Sequence, residues 1–247
     1  MGARASVQPA LVADGTGLPF REMGSGPVLV FVHGIAVSGR YFVPLMQELA
    51  GSYRCVAPDL PGYGKCPGPP EALDVPGLAD ALATFLDSLG LAADNVTLVA
   101  NSLGCQVIAA LAERSPGRTG SLVFIAPTLD PATKNHFWRS LFRAAVCEPL
   151  SLFPILLVDY VRFGIPRFNA TSRHALADDI TRRLPHLHVP ALVIQGARDR
   201  IVTVPWARRV ASLLPLGRFA LVSDGAHAVH YSRPAVVAGL IRSFLAG

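Results

Sequence analysis

A chain of 247 residues that is 51% hydrophobic and only 16% charged can bury a sizeable core and is too apolar to stay disordered. Its net charge of +5 rests almost wholly on arginine, with Lys65 and Lys134 the only lysines. The basic residues are scattered, at most paired as in Arg182-Arg183 and Arg208-Arg209, so no nucleic-acid stripe is expected.

The first thirty residues hold short extended segments punctuated by Gly15, Gly17, Gly24 and Gly26, which predicts an antiparallel hairpin on a sheet edge. Beyond them, short runs are apolar throughout: Val28–Val32, Arg54–Ala57, Val96–Ala100, Leu122–Ile125, Ala191–Ile194 and Phe219–Val222. Continuous rather than alternating apolar character marks parallel strands covered on both faces. Helical patterns fall between most of them, at about Tyr41–Ala50, Leu78–Leu89, Leu103–Arg114, Trp206–Leu214 and Ala235–Phe244. A β-α-β-α succession predicts a doubly wound, mostly parallel sheet in the α/β class.

One stretch breaks this rhythm. About sixty residues separate the strand near Ala126 from the strand near Ala191, far more than a crossover needs. They carry Phe137, Trp138, Phe142, Phe153, Tyr160, Phe163 and Phe168, split by Pro149, Pro154 and Pro166. A helical insertion over residues 129–186 is expected, set on a core of residues 1–128 and 187–247.

Cys55, Cys66, Cys105 and Cys147 have neither zinc-type nor disulfide-framework spacing, which reads as free thiols in a reducing compartment, with Cys55 in the core. The most apolar run, Leu150–Val158, is broken by Pro154, and no charged-then-apolar leader opens the chain. A cytoplasmic protein without stable membrane insertion is therefore expected. Met1-Gly-Ala-Arg-Ala-Ser6 fits a myristoylation pattern, but one short enough to arise by chance.

The residues with chemical potential fall after the strand-like runs. Leu98-Val-Ala-Asn-Ser-Leu-Gly-Cys-Gln106 ends a strand in Ala100-Asn-Ser102-Leu-Gly104 and opens a helix. A nucleophile on such a tight turn stands above the sheet edge, and small residues two before and two after it let the backbones meet. A serine capping a helix fits this segment alone equally well. His33-Gly34-Ile35 follows an earlier strand, and Asp59-Leu-Pro-Gly-Tyr-Gly64 the next. Gln195-Gly-Ala-Arg-Asp-Arg-Ile-Val202 and Ser223-Asp-Gly-Ala-His-Ala-Val-His-Tyr-Ser-Arg-Pro234 follow the last two. An Asp capping the turn before Val204-Pro205 is the plain alternative for Asp199.

Taken together and in this order, the five motifs resemble those of the α/β-hydrolase fold superfamily, from about Phe20 to the C-terminus. The resemblance implies that fold with a helical cap, and a Ser-Asp-His triad of Ser102, Asp199 and His227. It implies an oxyanion hole of the Ile35 and Leu103 backbone N–H groups. It makes His33 and Asp59 structural, gives His230 a secondary role, and requires no cofactor and no metal. His186-x-His188 has no third ligand nearby in the sequence. Ala100 stands where the family more often has glycine, and Cys66 where serine is usual.

The expected function is a carboxylesterase-like serine hydrolase for a small apolar or aromatic acyl substrate. Phe137, Trp138, Phe142, Phe153, Tyr160 and Phe163 are candidate lining residues, or else the insertion's own core. Ser38, Arg40 and Tyr41 either meet a polar substrate group or lie on the surface. Asn101-Ser102-x-Gly104 resembles the elbow of ring-cleavage carbon–carbon hydrolases, although Cys105 and Ala228 depart from that group. Lactonase and thioesterase chemistry stay open, as does a non-hydrolytic receptor or cofactor-free lyase on the same fold.

Overall fold

Six strands run parallel because their residues are apolar on both sides and each side is covered by helices. The computed structural model describes residues 10–13, 17–91, 96–128 and 148–247. Within them the chain forms β1 (Ala10–Ala13), β2 (Pro19–Met23), β3 (Val28–Val32), α1 (Val43–Leu49), β4 (Arg54–Pro58) and α2 (Val75–Ser88). There follow β5 (Val96–Asn101), α3 (Leu103–Arg114), β6 (Ser121–Ile125), α4 (Phe153–Phe163) and α5 (Ile165–Ala177). The chain closes with β7 (Ala191–Gly196), α6 (Val204–Leu213), β8 (Gly217–Val222), the single turn α7 (Val229–Ser232) and α8 (Pro234–Leu245).

The sheet order is β1-β2-β4-β3-β5-β6-β7-β8. β4 to β8 and β3 pair in parallel, while β1, β2 and β4 are joined antiparallel. The expected N-terminal hairpin is present on the edge, with Ala10 opposite Glu22.

Side chains alternate between the two faces, as the strand period of two requires. Val30, Val32, Leu98, Ala100, Phe124 and Val193 pack with Leu82 and Phe85 of α2, Val107 and Leu111 of α3, and Val210 of α6. Leu29, Phe31, Val99, Val123, Ile125 and Ile194 pack with Leu45, Met46 and Leu49 of α1 and Val237, Ile241 and Phe244 of α8. β8 departs from the sequence expectation: as the edge strand it leaves Leu221 44% exposed.

Helix starts also differ from the apolar pattern. α2 opens at Val75 rather than Leu78 because Asp74 caps it, accepting from the Gly77 N–H at 2.8 Å. The pattern at Tyr41–Ala50 opens as a 3₁₀ turn over Gly39–Phe42 before α1. No helix among the described residues is long and apolar enough to cross a membrane.

This order puts a topological switch at β3. From it the chain goes to β4 on one side, then crosses back to β5 on the other. The crevice beyond the carboxyl ends of β3 and β5 is where such sheets form their sites.

Candidate active site

Three non-glycine residues among those described have a left-handed φ: Ala36 at 56°, Ser102 at 56° and Ala126 at 48°. They lie just beyond the ends of β3, β5 and β6. Backbone strain of this kind persists only where the surroundings enforce it, and it gathers at functional sites. Ser102, with ψ −123°, joins β5 to α3. Its N–H donates to the Ile125 carbonyl at 3.1 Å, and its carbonyl accepts from Cys105 N–H at 3.0 Å.

The packing explains the glycines on either side. A Cβ on Gly104 would stand 2.3 Å from the Val32 carbonyl oxygen, so the first turn of α3 lies directly on the end of β3. A Cβ on Gly34 would stand 3.0 Å from the Ser102 Cβ. The His33-Gly34-Ile35 loop is thereby brought against the Ser102 turn. Leu103, the first residue of α3, is buried, and Ile35 is half-buried. The α3 N-terminus directs its partial positive charge toward the same place.

Asp199 and His227 come together from the loops after β7 and β8. Asp199 Oδ2 lies 2.9 Å from His227 Nδ1 and accepts from Gln195 Nε2 at 3.1 Å. Asp199 Oδ1 accepts from the Ile201 and Val202 N–H groups at 2.7 and 3.0 Å. Burial pushes the Asp199 carboxyl up, but His227 and these hydrogen bonds outweigh it and hold the group below the ordinary carboxylate value. At His227 burial opposes the charge, and Asp199 overrides it and raises the imidazole above its ordinary value. Asn101, next to Ser102, donates from Nδ2 to the carbonyls of Ile125 and His227 at 3.2 and 3.4 Å. It ties the serine turn to the histidine loop.

The other histidines are held differently. His33 accepts the Leu60 N–H at Nε2, at 3.1 Å, so its proton sits on Nδ1, which donates to the Gly34 carbonyl at 2.9 Å. Burial lowers its pKa. His230 is fully buried against Tyr41 and Phe42, at 4.3 and 4.5 Å between ring centroids. Neither of its nitrogens has a hydrogen-bond partner among the described residues, and burial drives its pKa far down. Asp59 accepts from Arg21 Nη1 and from the Gly39 and Lys65 N–H groups, a loop brace.

Two features were not foreseen. Ser38 and Tyr41 are buried, not on the surface. Instead Ser38 Oγ donates to Asp159 of α4 at 2.7 Å, and the Arg40 guanidinium pairs with Asp159 at 2.9 Å. This buried knot ties α4 to the segment after β3. Asp159→Ala would strand the Ser38 hydroxyl and the Arg40 charge, at a cost of about 1–3 kcal/mol; an unchanged urea midpoint would remove the knot from this account. The second feature is Glu148. Its Oε1 accepts from Ala228 N–H at 2.8 Å, beside His227, and burial raises its pKa.

Of the expected lining residues, Phe137, Trp138 and Phe142 lie outside the described residues, as does Cys147. Phe163 is buried against Tyr63 and Phe168, at 4.6 and 6.5 Å between ring centroids. Half-buried Tyr160 packs on Phe168 at 5.8 Å, and burial pushes its hydroxyl up to about 12. Phe153 is 57% exposed and shares an exposed apolar strip with Leu157, Val161 and Ile165. Among the described residues no group of three or more His, Cys, Asp or Glu side chains could hold a metal ion.

Comparisons with known proteins give the chain's family and fold. The chain is 33% identical to the 2-(acetamidomethylene)succinate hydrolase of Mesorhizobium japonicum, with 92% of this chain and 91% of the relative covered. It is 30% identical to the pimeloyl-[acyl-carrier protein] methyl ester esterase of Stenotrophomonas maltophilia, with 91% and 95% covered. The fold is that of a thermophilic esterase from Thermogutta terrifontis, with a TM-score of 0.77 at 24% identity over 97% of each chain. With residues 29–240 matching the model of the alpha/beta hydrolase family, the chain belongs to that family and is a hydrolase.

Proposed function

We propose that the protein is a serine hydrolase that cleaves small apolar or aromatic esters through an acyl-enzyme. Ser102 is the nucleophile, His227 the general base and Asp199 the acid that orients it. The Ile35 and Leu103 N–H groups hold the oxyanion. Residues 129–186 form a cap on a core of residues 1–128 and 187–247. The observation that carries this reading is the strained Ser102 turn at the switch point, with the Asp199–His227 pair on the neighbouring loops.

Each part has a physical task. His227 Nε2 takes the Ser102 proton as Oγ attacks the acyl carbon, then gives it to the leaving alkoxide. Asp199 fixes the Nδ1–H tautomer and stabilises the imidazolium. The oxyanion forms at the α3 N-terminus, where two preset N–H donors need no rearrangement. Water then repeats the cycle and frees the acid. Half-buried Tyr160 supplies apolar surface on α4, and the relative named a methyl ester esterase supports an ester as the cleaved group. Buried thiols at Cys55 and Cys105 suit a reducing, cytoplasmic setting.

The test is a panel of aryl esters of rising acyl length with a lactone, a thioester and a ring-cleavage diketone. Short or aromatic aryl esters are expected to turn over fastest. Preference for the diketone would favour carbon–carbon hydrolysis. Tight small-molecule binding with no turnover of any member would favour a receptor.

A further inference from the structure

We propose that Glu148 is a second carboxylate of the catalytic centre, a positioning residue that holds the backbone at His227–Ala228 and supports the imidazolium of His227 alongside Asp199. The proposal rests on the triad reading above. Glu148 stands immediately before Pro149 and the 3₁₀ turn Leu150–Leu152 that leads into α4. It reaches across eighty residues of chain to accept the Ala228 N–H at 2.8 Å.

Its other oxygen, Oε2, is buried and has no hydrogen-bond partner among the described residues. A buried carboxylate is costly unless something nearby repays its charge. The Ala228 and His227 backbone N–H groups repay part of it. The groups that sense Glu148 electrostatically are His227, Asp199 and Tyr41. Asp199 is already negative and Tyr41 is a neutral phenol held protonated chiefly by its burial. His230, buried beside Tyr41, is kept neutral by its burial. Among the described residues, that leaves the proton on His227 as the positive charge that Glu148 senses and can stabilise. In the reaction this charge appears only when His227 has taken the Ser102 proton, so the help is given to the transition state rather than to the resting enzyme.

The two roles of Glu148 are separable by substitution. Glu148→Gln keeps a carbonyl-type oxygen for the Ala228 N–H and removes the charge. Glu148→Asp keeps the charge on a shorter arm. The His227 ring titration, followed by NMR, needs no substrate. In Glu148→Gln its midpoint is expected to fall by about one unit. kcat should fall about ten-fold with KM within about two-fold, since one unit of imidazolium stabilisation is a factor of ten. Glu148→Asp should lie between this variant and the wild type.

An unmoved His227 midpoint in Glu148→Gln overturns the proposal, even with a lower Tm, and leaves Glu148 a brace alone. Should Glu148→Gln not fold, the wild type decides. With ¹³C-labelled glutamate, the Glu148 carboxyl signal should shift as His227 titrates, and a signal blind to that step overturns the proposal equally. Turnover surviving in Ser102→Ala would sink the triad reading without touching the midpoint comparison.

Discussion

Ser102→Ala should lower kcat on an aryl ester by about 10⁴- to 10⁶-fold, the range for loss of a nucleophile that acts as a unit with its base. The fold should not notice. Ser102 is 6% exposed, and no hydrogen bond of its side chain caps α3. Alanine keeps the Cβ that packs near Gly34 and keeps the strained φ of 56°, so Tm should hold within about 1–2 °C. Ser102→Gly sharpens the point. Glycine tolerates this conformation, so the release of strain works against the extra chain entropy that glycine brings. The glycine variant should be at least as stable as the alanine variant and equally inactive. Thermal scans and initial rates on the same preparations check both. Activity within ten-fold of wild type in Ser102→Ala would remove Ser102 from the chemistry.

Much of this site was legible because it is written in short segments at strand ends. Leu98–Gln106 combines an apolar run, a small residue on each side of a serine, and a helix start, and the structure makes each feature physical. Gly104 meets the Val32 carbonyl, and Ala100 is fully buried at the end of β5. Five of the six strand cores were legible for the same reason, since continuous apolar runs suit strands covered on both faces, and β8 alone is left half open at the edge. The surroundings of the site were not legible. Glu148 is one glutamate beside a proline, in no motif, and its meaning comes from a contact with Ala228 eighty residues away. Asp159 is likewise an unremarkable acid in an apolar helix until Ser38 and Arg40 reach it from more than a hundred residues away. Composition could name aromatic residues in the insertion, but not which side they take. Phe163 packs inward and Phe153 outward on one helix, a choice made by what α4 rests on.

Asp199→Asn is expected to cost about 10⁴-fold in kcat, and hydrogen bonding shows why an uncharged isostere is not a mild change here. Asp199 Oδ1 is claimed by the Ile201 and Val202 N–H groups. An asparagine must leave its oxygen there and turn its NH₂ toward His227 Nδ1 and Gln195 Nε2, both of which now meet a carboxylate oxygen. His227 can answer that NH₂ only by accepting at Nδ1, which puts its proton on Nε2, the nitrogen that must receive the serine proton. Loss of the charge also removes the larger part of what lifts His227 above its ordinary pKa of 6.5. In the wild type, kcat/KM should rise with pH through a midpoint above 6.5; in Asp199→Asn the residual activity should reach its plateau at lower pH.

Stability carries the same signs. The depressed Asp199 carboxyl stabilises the fold above its unfolded pKa of 3.8 and loses that contribution as pH falls through the folded value. The raised His227 stabilises it below 6.5 and loses that contribution as pH rises through the folded value. The Tm gap between wild type and Asp199→Asn should therefore be widest at about pH 4–6.5, where both groups are charged, and should narrow above it. A gap that does not narrow as pH rises through and beyond the His227 titration would mean that Asp199 serves its backbone donors alone and not His227.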